Sequence, residues 1–226
     1  MIWNDHSRDR LEEHAVLNPS GFSWINYSGE QMEEKLQKRY FAHMRAPAGT
    51  AIHDFAKNCI LLGERPPHQI NNVIKMIKLF MVQNKNPYDP ELINFIGCLP
   101  PHVFKTLILY IDDCVGFKMN PEKLLVYSES CFGTADAISF DTVTSTLRVS
   151  DLKTGDGPAH MEQLLIYDAL FCLEYRFDPK NVKFENRLYQ FGEIQEAIDI
   201  PSNIIADYIN QIIIKSKFMQ QLRGKE

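Results

Sequence analysis

The chain is marked first by what it does not contain. No apolar run reaches the roughly 18 residues of a membrane-spanning helix. The N-terminal stretch MIWNDHSRDRLEEH is polar and charged, unlike the apolar body of a secretory signal. Cysteine is sparse: Cys59, Cys98, Cys114, Cys131 and Cys172 are scattered, odd in number and form no CxxC pair. That is the pattern of reduced thiols, and it predicts a cytoplasmic protein. Basic charge is not in excess. With a formal net charge of −5, the chain is a poor candidate for coating nucleic acid, because phosphate affinity rests on Lys and Arg. Metal-binding carboxylates are a different matter, since an ion later offsets their charge. There is no G-x-x-x-x-G-K-[ST] phosphate loop, so no ATPase motor is expected. No G-x-S-x-G or Cys–His signature points to acyl chemistry. Internal repeats and low-complexity segments are absent as well.

The apolar residues that are present, 45% of the 226, suffice for a buried core. Their spacing divides the chain. Residues 1–120 read as mainly helical, with helices over 29–44, 49–62, 68–84 and 101–114. GERPP (63–67) and NPYDP (86–90) read as the breaks between them. Residues 121–226 read as βββαβα. The strands are LLVYSE (124–129), GTADAISF (133–140), TLRVSDL (146–152) and one over 186–199; the helices run over 158–175 and 201–222. The first three strands are short and closely spaced, which predicts an antiparallel meander. Strands followed by a covering helix predict an α/β fold with a mixed central sheet flanked by helices.

The chemistry-bearing residues gather in FGTADAISFDTVTSTLRVSDLKTGDG. Asp151 and Lys153 are two apart at a strand end, so they share a face. Asp136 can reach that face from the neighbouring strand. Two carboxylates and an ammonium in one small space suit phosphodiester hydrolysis: Mg²⁺ prefers carboxylate oxygens, water and phosphate, and a lysine stabilises developing negative charge. An isolated Asp-x-Lys, by contrast, is ordinarily a surface salt bridge on a strand.

Taken in order, the motifs add up to more. G-T-A-D (133–136), D-L-K-T-G (151–155) and a Q-x-x-x-Y formed by Gln163 and Tyr167 resemble the core of the RecB-like branch of the PD-(D/E)XK nucleases. Upstream, Gly49, Thr50 and His53 resemble the G-T-x-x-H helix of that branch. The resemblance implies a single nuclease domain over 1–226, with Asp136, Asp151, Lys153, Gln163 and Tyr167 as catalytic residues. It implies Mg²⁺ or Mn²⁺ as cofactor, held by His53, Asp136, Asp151 and the carbonyl of Leu152. Gln163 and Tyr167 would orient the lysine or touch the DNA backbone. HAVLNPSGFSWINYSG (14–29) is similar to a segment of phage members, which implies a phage-type exonuclease acting in the host cytoplasm. Some relatives hold an iron–sulfur cluster on a cysteine in that segment and three C-terminal cysteines. Here Tyr27 stands in the first place and no cysteine follows Cys172, so no cluster is expected.

DNA is the expected partner, and no membrane is. Lys75, Lys78, Arg148 and His160 are candidate substrate contacts, with Lys215 and Lys217 on the closing helix. Each also reads as a solvated surface residue. Glu129 is a candidate extra acid. His43, His68, His102 and His160 show no metal-ligand spacing. A ring-shaped homo-oligomer is allowed by the resemblance. Two other classes stay open: a non-catalytic nucleic-acid-binding or assembly protein on the same fold, and a restriction-type endonuclease that reads bases with the unassigned residues 64–120.

Overall fold

The computed structural model describes residues 16–17, 19–85 and 88–223. The chain divides into two compact units, Met1–Ala48 and Gly49–Glu226. In the first, 3-10 turns over Pro19–Asn26 and Gly29–Gln31 lead into helix α1 (Met32–Leu62). Arg39 Nε donates to the Val16 carbonyl at 2.5 Å, and the Lys35 ammonium lies over the Tyr27 ring. The helices read from sequence over 29–44 and 49–62 are one helix here. Pro47 sits inside α1 without ending it. It forfeits one backbone hydrogen bond, while the buried side chains of Ala51, Ile52, Phe55 and Ala56 keep the following turns packed.

In the second unit, α2 (Ile70–Gln83), α3 (Pro90–Phe95) and α4 (Pro101–Gly116) precede the sheet. The sequence reading missed α3, taking NPYDP only as a stop. Asp89 is a helix start: its carboxylate accepts the Glu91 N–H at 2.5 Å, and Pro90 occupies the first helical position, where no N–H is needed. Strands β1 (Asn120–Ser128), β2 (Cys131–Asp141) and β3 (Thr146–Leu152) form the expected antiparallel meander. The helix α5 (Glu162–Tyr175) crosses over to β4 (Lys183–Gln190), which pairs parallel to β3. The helix expected from 158 begins at Glu162, leaving Pro158–Met161 as loop.

The single strand expected over 186–199 is a hairpin of β4 and β5 (Glu193–Ile198), followed by α6 (Ser202–Arg223). Phe191 and Gly192 between them both have positive φ, 55° and 77°, the signature of a tight two-residue hairpin turn. The result is an α/β fold with a mixed five-stranded sheet in the order β1-β2-β3-β4-β5, flanked by helices. Among the described residues, no single helix is long and apolar enough to cross a membrane.

The two faces of the sheet carry different helices. On one, Leu164, Leu170 and Phe171 of α5 pack on Leu125, Ile138, Leu147, Val149, Phe184 and Leu188, and α6 packs on α5. On the other lies α4, with Tyr110 edge-on to Tyr189 and Phe117 beneath the guanidinium groups of Arg148 and Arg187. Helix α2 packs on α4, and Phe55 of α1 meets Phe80 of α2 edge-on. Each fully buried Leu, Ile or Phe in these layers contributes roughly 1.5–3 kcal/mol by leaving water.

Candidate active site

The site forms where β2 parts from β3. A Cβ on Gly133 would stand 3.1 Å from the Tyr167 ring, and Ala135 packs in the α5-side core. Ile138 and Phe140 also face α5. Side chains on a strand ordinarily alternate, so the regular alternation of β2 is broken between Ala135 and Ile138, although its pairing register with β1 continues unshifted there. The β2–β3 ladder runs from Asp141↔Thr146 to Ala137↔Ser150 and ends there. Beyond it, the Leu152 N–H donates to Asp136 Oδ2 at 2.9 Å. A side chain thus takes the place of a strand carbonyl, and Asp136 is held at the fork.

Asp151 is on the α5 side of β3 and only 2% exposed. Lys153 Nζ donates to its Oδ1 at 3.1 Å and stands 2.8 Å from Oδ2, which accepts no aligned hydrogen bond. The same ammonium donates to Gln163 Oε1 at 3.0 Å. Gln163 lies in the first turn of α5, so the lysine is shared between the strand acid and the crossover helix. One turn along α5, Tyr167 donates to the Thr134 carbonyl at 2.6 Å, which ties α5 to β2 just before Asp136. Burial raises the Tyr167 phenol above its usual range. The tyrosine therefore fixes the helix against the strand, and the orientation of Lys153 falls to Gln163.

His53 approaches from α1, with Nδ1 3.6 Å from Asp136 Oδ2. Gly49, one turn earlier, lets α1 come close to the loop after β3: a Cβ there would lie 2.9 Å from Thr154 Oγ1. Burial pushes the Asp136 carboxyl above the ordinary carboxylate range. The charge of His53 opposes the rise and that of Asp151 adds to it. Behind the fork, on the α4 side, Tyr189 donates to Asp113 Oδ2 at 2.7 Å, and its carbonyl accepts the Lys153 N–H at 2.9 Å.

Asp136, Asp151, Lys153, Gln163 and His53 are thus in one place, with Tyr167 at its edge. Among the described residues, no group of three His, Cys, Asp or Glu side chains is arranged to hold a metal ion. The donors at hand are the two carboxylates, the Leu152 carbonyl and His53.

Of the candidate substrate contacts, His160 adjoins the site through its carbonyl, which accepts the Gln163 N–H at 3.2 Å. Arg148 is on the opposite, α4 face of β3, paired with Glu185 at 2.7 Å and stacked on Phe117. Lys75 and Lys78 are on α2, and Lys78 packs against Gly97. His160 is exposed in the loop before α5. Lys215 lines a pocket of about 520 Å³ with Cys131, Ile166, Tyr208, Ile212 and Met219, apart from the carboxylates. Glu129 lies in the β1–β2 turn.

One positioning residue went unread in the sequence. Gln190, buried at the end of β4, donates through Nε2 to the carbonyls of Gly155 and Gly157, at 2.9 and 2.7 Å. It clamps the turn that joins Lys153 to α5. Nothing local in the sequence marks it, because its partners are 35 and 33 residues away. Family models, curated proteins and solved structures yield no match to this chain.

Proposed function

We propose that this chain is a metal-dependent nuclease of the PD-(D/E)XK type that hydrolyses DNA phosphodiester bonds. One observation carries the reading: two mostly buried carboxylates, Asp136 and Asp151, meet a lysine whose ammonium bridges Asp151 and Gln163 at 2.8–3.1 Å. A salt bridge built only for stability gains little from a second acid, and Asp136 is held there against a burial cost that raises its pKa. The G-T-A-D, D-L-K and Q-x-x-x-Y motifs, in order on β2, β3 and α5, support the same reading.

The donor set fits a hard divalent cation. The Asp151 Oδ2 atom is buried and meets the Lys153 ammonium at 2.8 Å without an aligned hydrogen bond, so it keeps lone-pair capacity for a cation. Asp136, Asp151 and the Leu152 carbonyl would hold the ion, with His53 as a fourth donor that widens tolerance toward Mn²⁺. A three-side-chain cage is not required, since Mg²⁺ keeps several of its waters. When bound, such a cation neutralises charge at the phosphate and lowers the pKa of a water molecule. Lys153 supplies a fixed positive charge for the negative charge that develops on the phosphate oxygens. Gln163 keeps that ammonium from collapsing wholly onto Asp151, and Tyr167 holds α5 at the distance this requires.

The test is a cleavage assay on linear and covalently closed circular DNA in EDTA, Mg²⁺ and Mn²⁺, beside Lys153→Ala. The expected outcome is metal-dependent loss of DNA, reduced about 10²–10³-fold in the variant. Loss of linear DNA alone assigns exonuclease action, and cutting of the circle assigns endonuclease action. No cleavage with any metal, or an equally active Lys153→Ala, overturns the reading.

A further inference from the structure

The β4–β5 turn carries a residue that its own backbone disfavours. Phe191 has φ 55°, and in a two-residue turn with both φ values positive the usual first residue is Asn, Asp or Gly. A bulky aromatic there is strained. Nor does burial compensate, for the Phe191 side chain is 49% exposed.

The ring is not needed to hold the turn. The Gly192 N–H donates to Thr106 Oγ1 at 2.7 Å, and that hydroxyl donates in turn to the His102 carbonyl at 2.8 Å. Gln190, on the other side, is fixed by its two bonds to the Gly155–Gly157 turn. The backbone is therefore secured on both sides of Phe191, and the ring lies edge-on to His102 at 5.6 Å. Lys105, exposed on α4, puts one cation beside the turn, its Cβ 3.5 Å from where a Cβ on Gly192 would stand, while exposed Glu193 opens β5 on the other side.

The turn's place in the fold links it to the chemistry. Strands β3 and β4 are parallel, so Asp151, Lys153 and the β4–β5 turn lie at the same end of the sheet, the turn against α4 and Asp151 on the α5 side. The Lys153 N–H bonds to the carbonyl of Tyr189, two residues before Phe191. We propose that Phe191 is a stacking platform for an unpaired nucleobase of the strand whose backbone enters the Asp136–Asp151 site, with Lys105 against a neighbouring phosphate. The inference rests on the nuclease reading and narrows its substrate to DNA with an unpaired stretch, a single strand or a frayed end. Such stacking is indifferent to sequence, because every base presents a π-face.

The test uses Phe191→Asn and Phe191→Trp in the full chain. Asn suits the turn, so its thermal midpoint should equal or exceed that of the wild type. Binding of a labelled oligothymidylate is read by fluorescence anisotropy, with Ca²⁺ replacing Mg²⁺ so that the strand is not consumed. The expected result is an affinity about 5- to 150-fold weaker for Phe191→Asn and near wild type for Phe191→Trp, with duplex affinity unchanged. Unchanged single-strand affinity in Phe191→Asn overturns the platform. So does a lowered midpoint in that variant, which would assign the ring to packing on His102. Wild type that binds duplex but no single strand also sinks the platform and leaves the nuclease reading standing; wild type that binds neither removes both.

Discussion

Asp168 gives the sharpest stability prediction. It lies on α5, one residue past Tyr167, and is fully buried. Asn186 of β4 donates to its Oδ2 at 2.7 Å, while Asp168 Oδ1 and Asn186 Oδ1 are both buried without a hydrogen-bond partner. Two buried acceptors without a donor are costly, and a proton on the carboxyl lowers that cost. Protonated Asp168 carries no buried charge and gains a donor, while the Asn186 amide donates to its Oδ2. Burial accordingly pushes the Asp168 carboxyl up to about 8, and the Asn186 bond opposes the rise. Cys172, one turn away, does not compete for this proton, because burial pushes its thiol up to about 12.

The sign follows from proton counting. The unfolded chain releases this proton near pH 4 and the folded chain near pH 8, so between these values the native state binds one proton more. Stability due to this group is fully present below about pH 4, falls by about 1.4 kcal/mol per pH unit and levels off above about pH 8. The span is on the order of 5 kcal/mol, of which about 4 is already lost at pH 7. Asp168→Asn keeps the shape, pairs amide to amide with Asn186 and does not titrate. Urea unfolding of both proteins from pH 5 to 9 isolates the group as a difference. The variant should gain on the wild type steadily to pH 8 and then run parallel. A difference that does not vary with pH would refute the protonated pair.

Two further substitutions test the local architecture. Gly133→Ala puts a Cβ 3.1 Å from a Tyr167 ring whose hydroxyl is tied to Thr134, so it should cost about 1–3 kcal/mol in urea unfolding at unchanged m-value; wild-type stability would mean the ring is not held. Gln190→Leu removes both bonds to the Gly155–Gly157 turn, and amide exchange across that turn should quicken with β4 protection kept; unchanged exchange would show that the clamp does not order the loop.

Much of the fold was legible because its signals are local. The β1–β2–β3 meander, α2, α4 and α6 follow from apolar period and turn residues within each segment, and a strand–helix–strand order leads to a mixed sheet. The errors fall where one residue has two meanings. The sequence divides 29–44 from 49–62, yet α1 runs through Pro47 between them because the turns beyond bury a continuous apolar face. NPYDP was read as an end, but its Asp and Pro also begin α3. Phe191 was read as a strand residue because nothing about a phenylalanine announces a positive φ.

The site was legible in its members but not in its construction. Asp151 and Lys153 declare a shared face by their spacing of two, and Gln163 and Tyr167 by their spacing of four. Asp136 declares nothing by spacing, since its position depends on where the β2–β3 ladder ends, which no local pattern encodes. The fork there explains why two acids tolerate each other. A regular ladder would have given the Leu152 N–H to a strand carbonyl and left Asp136 with no donor. The fork instead assigns that N–H to the carboxylate, and His53 from α1 adds a second favourable group. The cost of burying Asp136 beside Asp151 is thereby reduced without being removed. An acid pair left partly uncompensated is stable enough to fold and still gains by meeting a cation, which is the property the proposed chemistry requires.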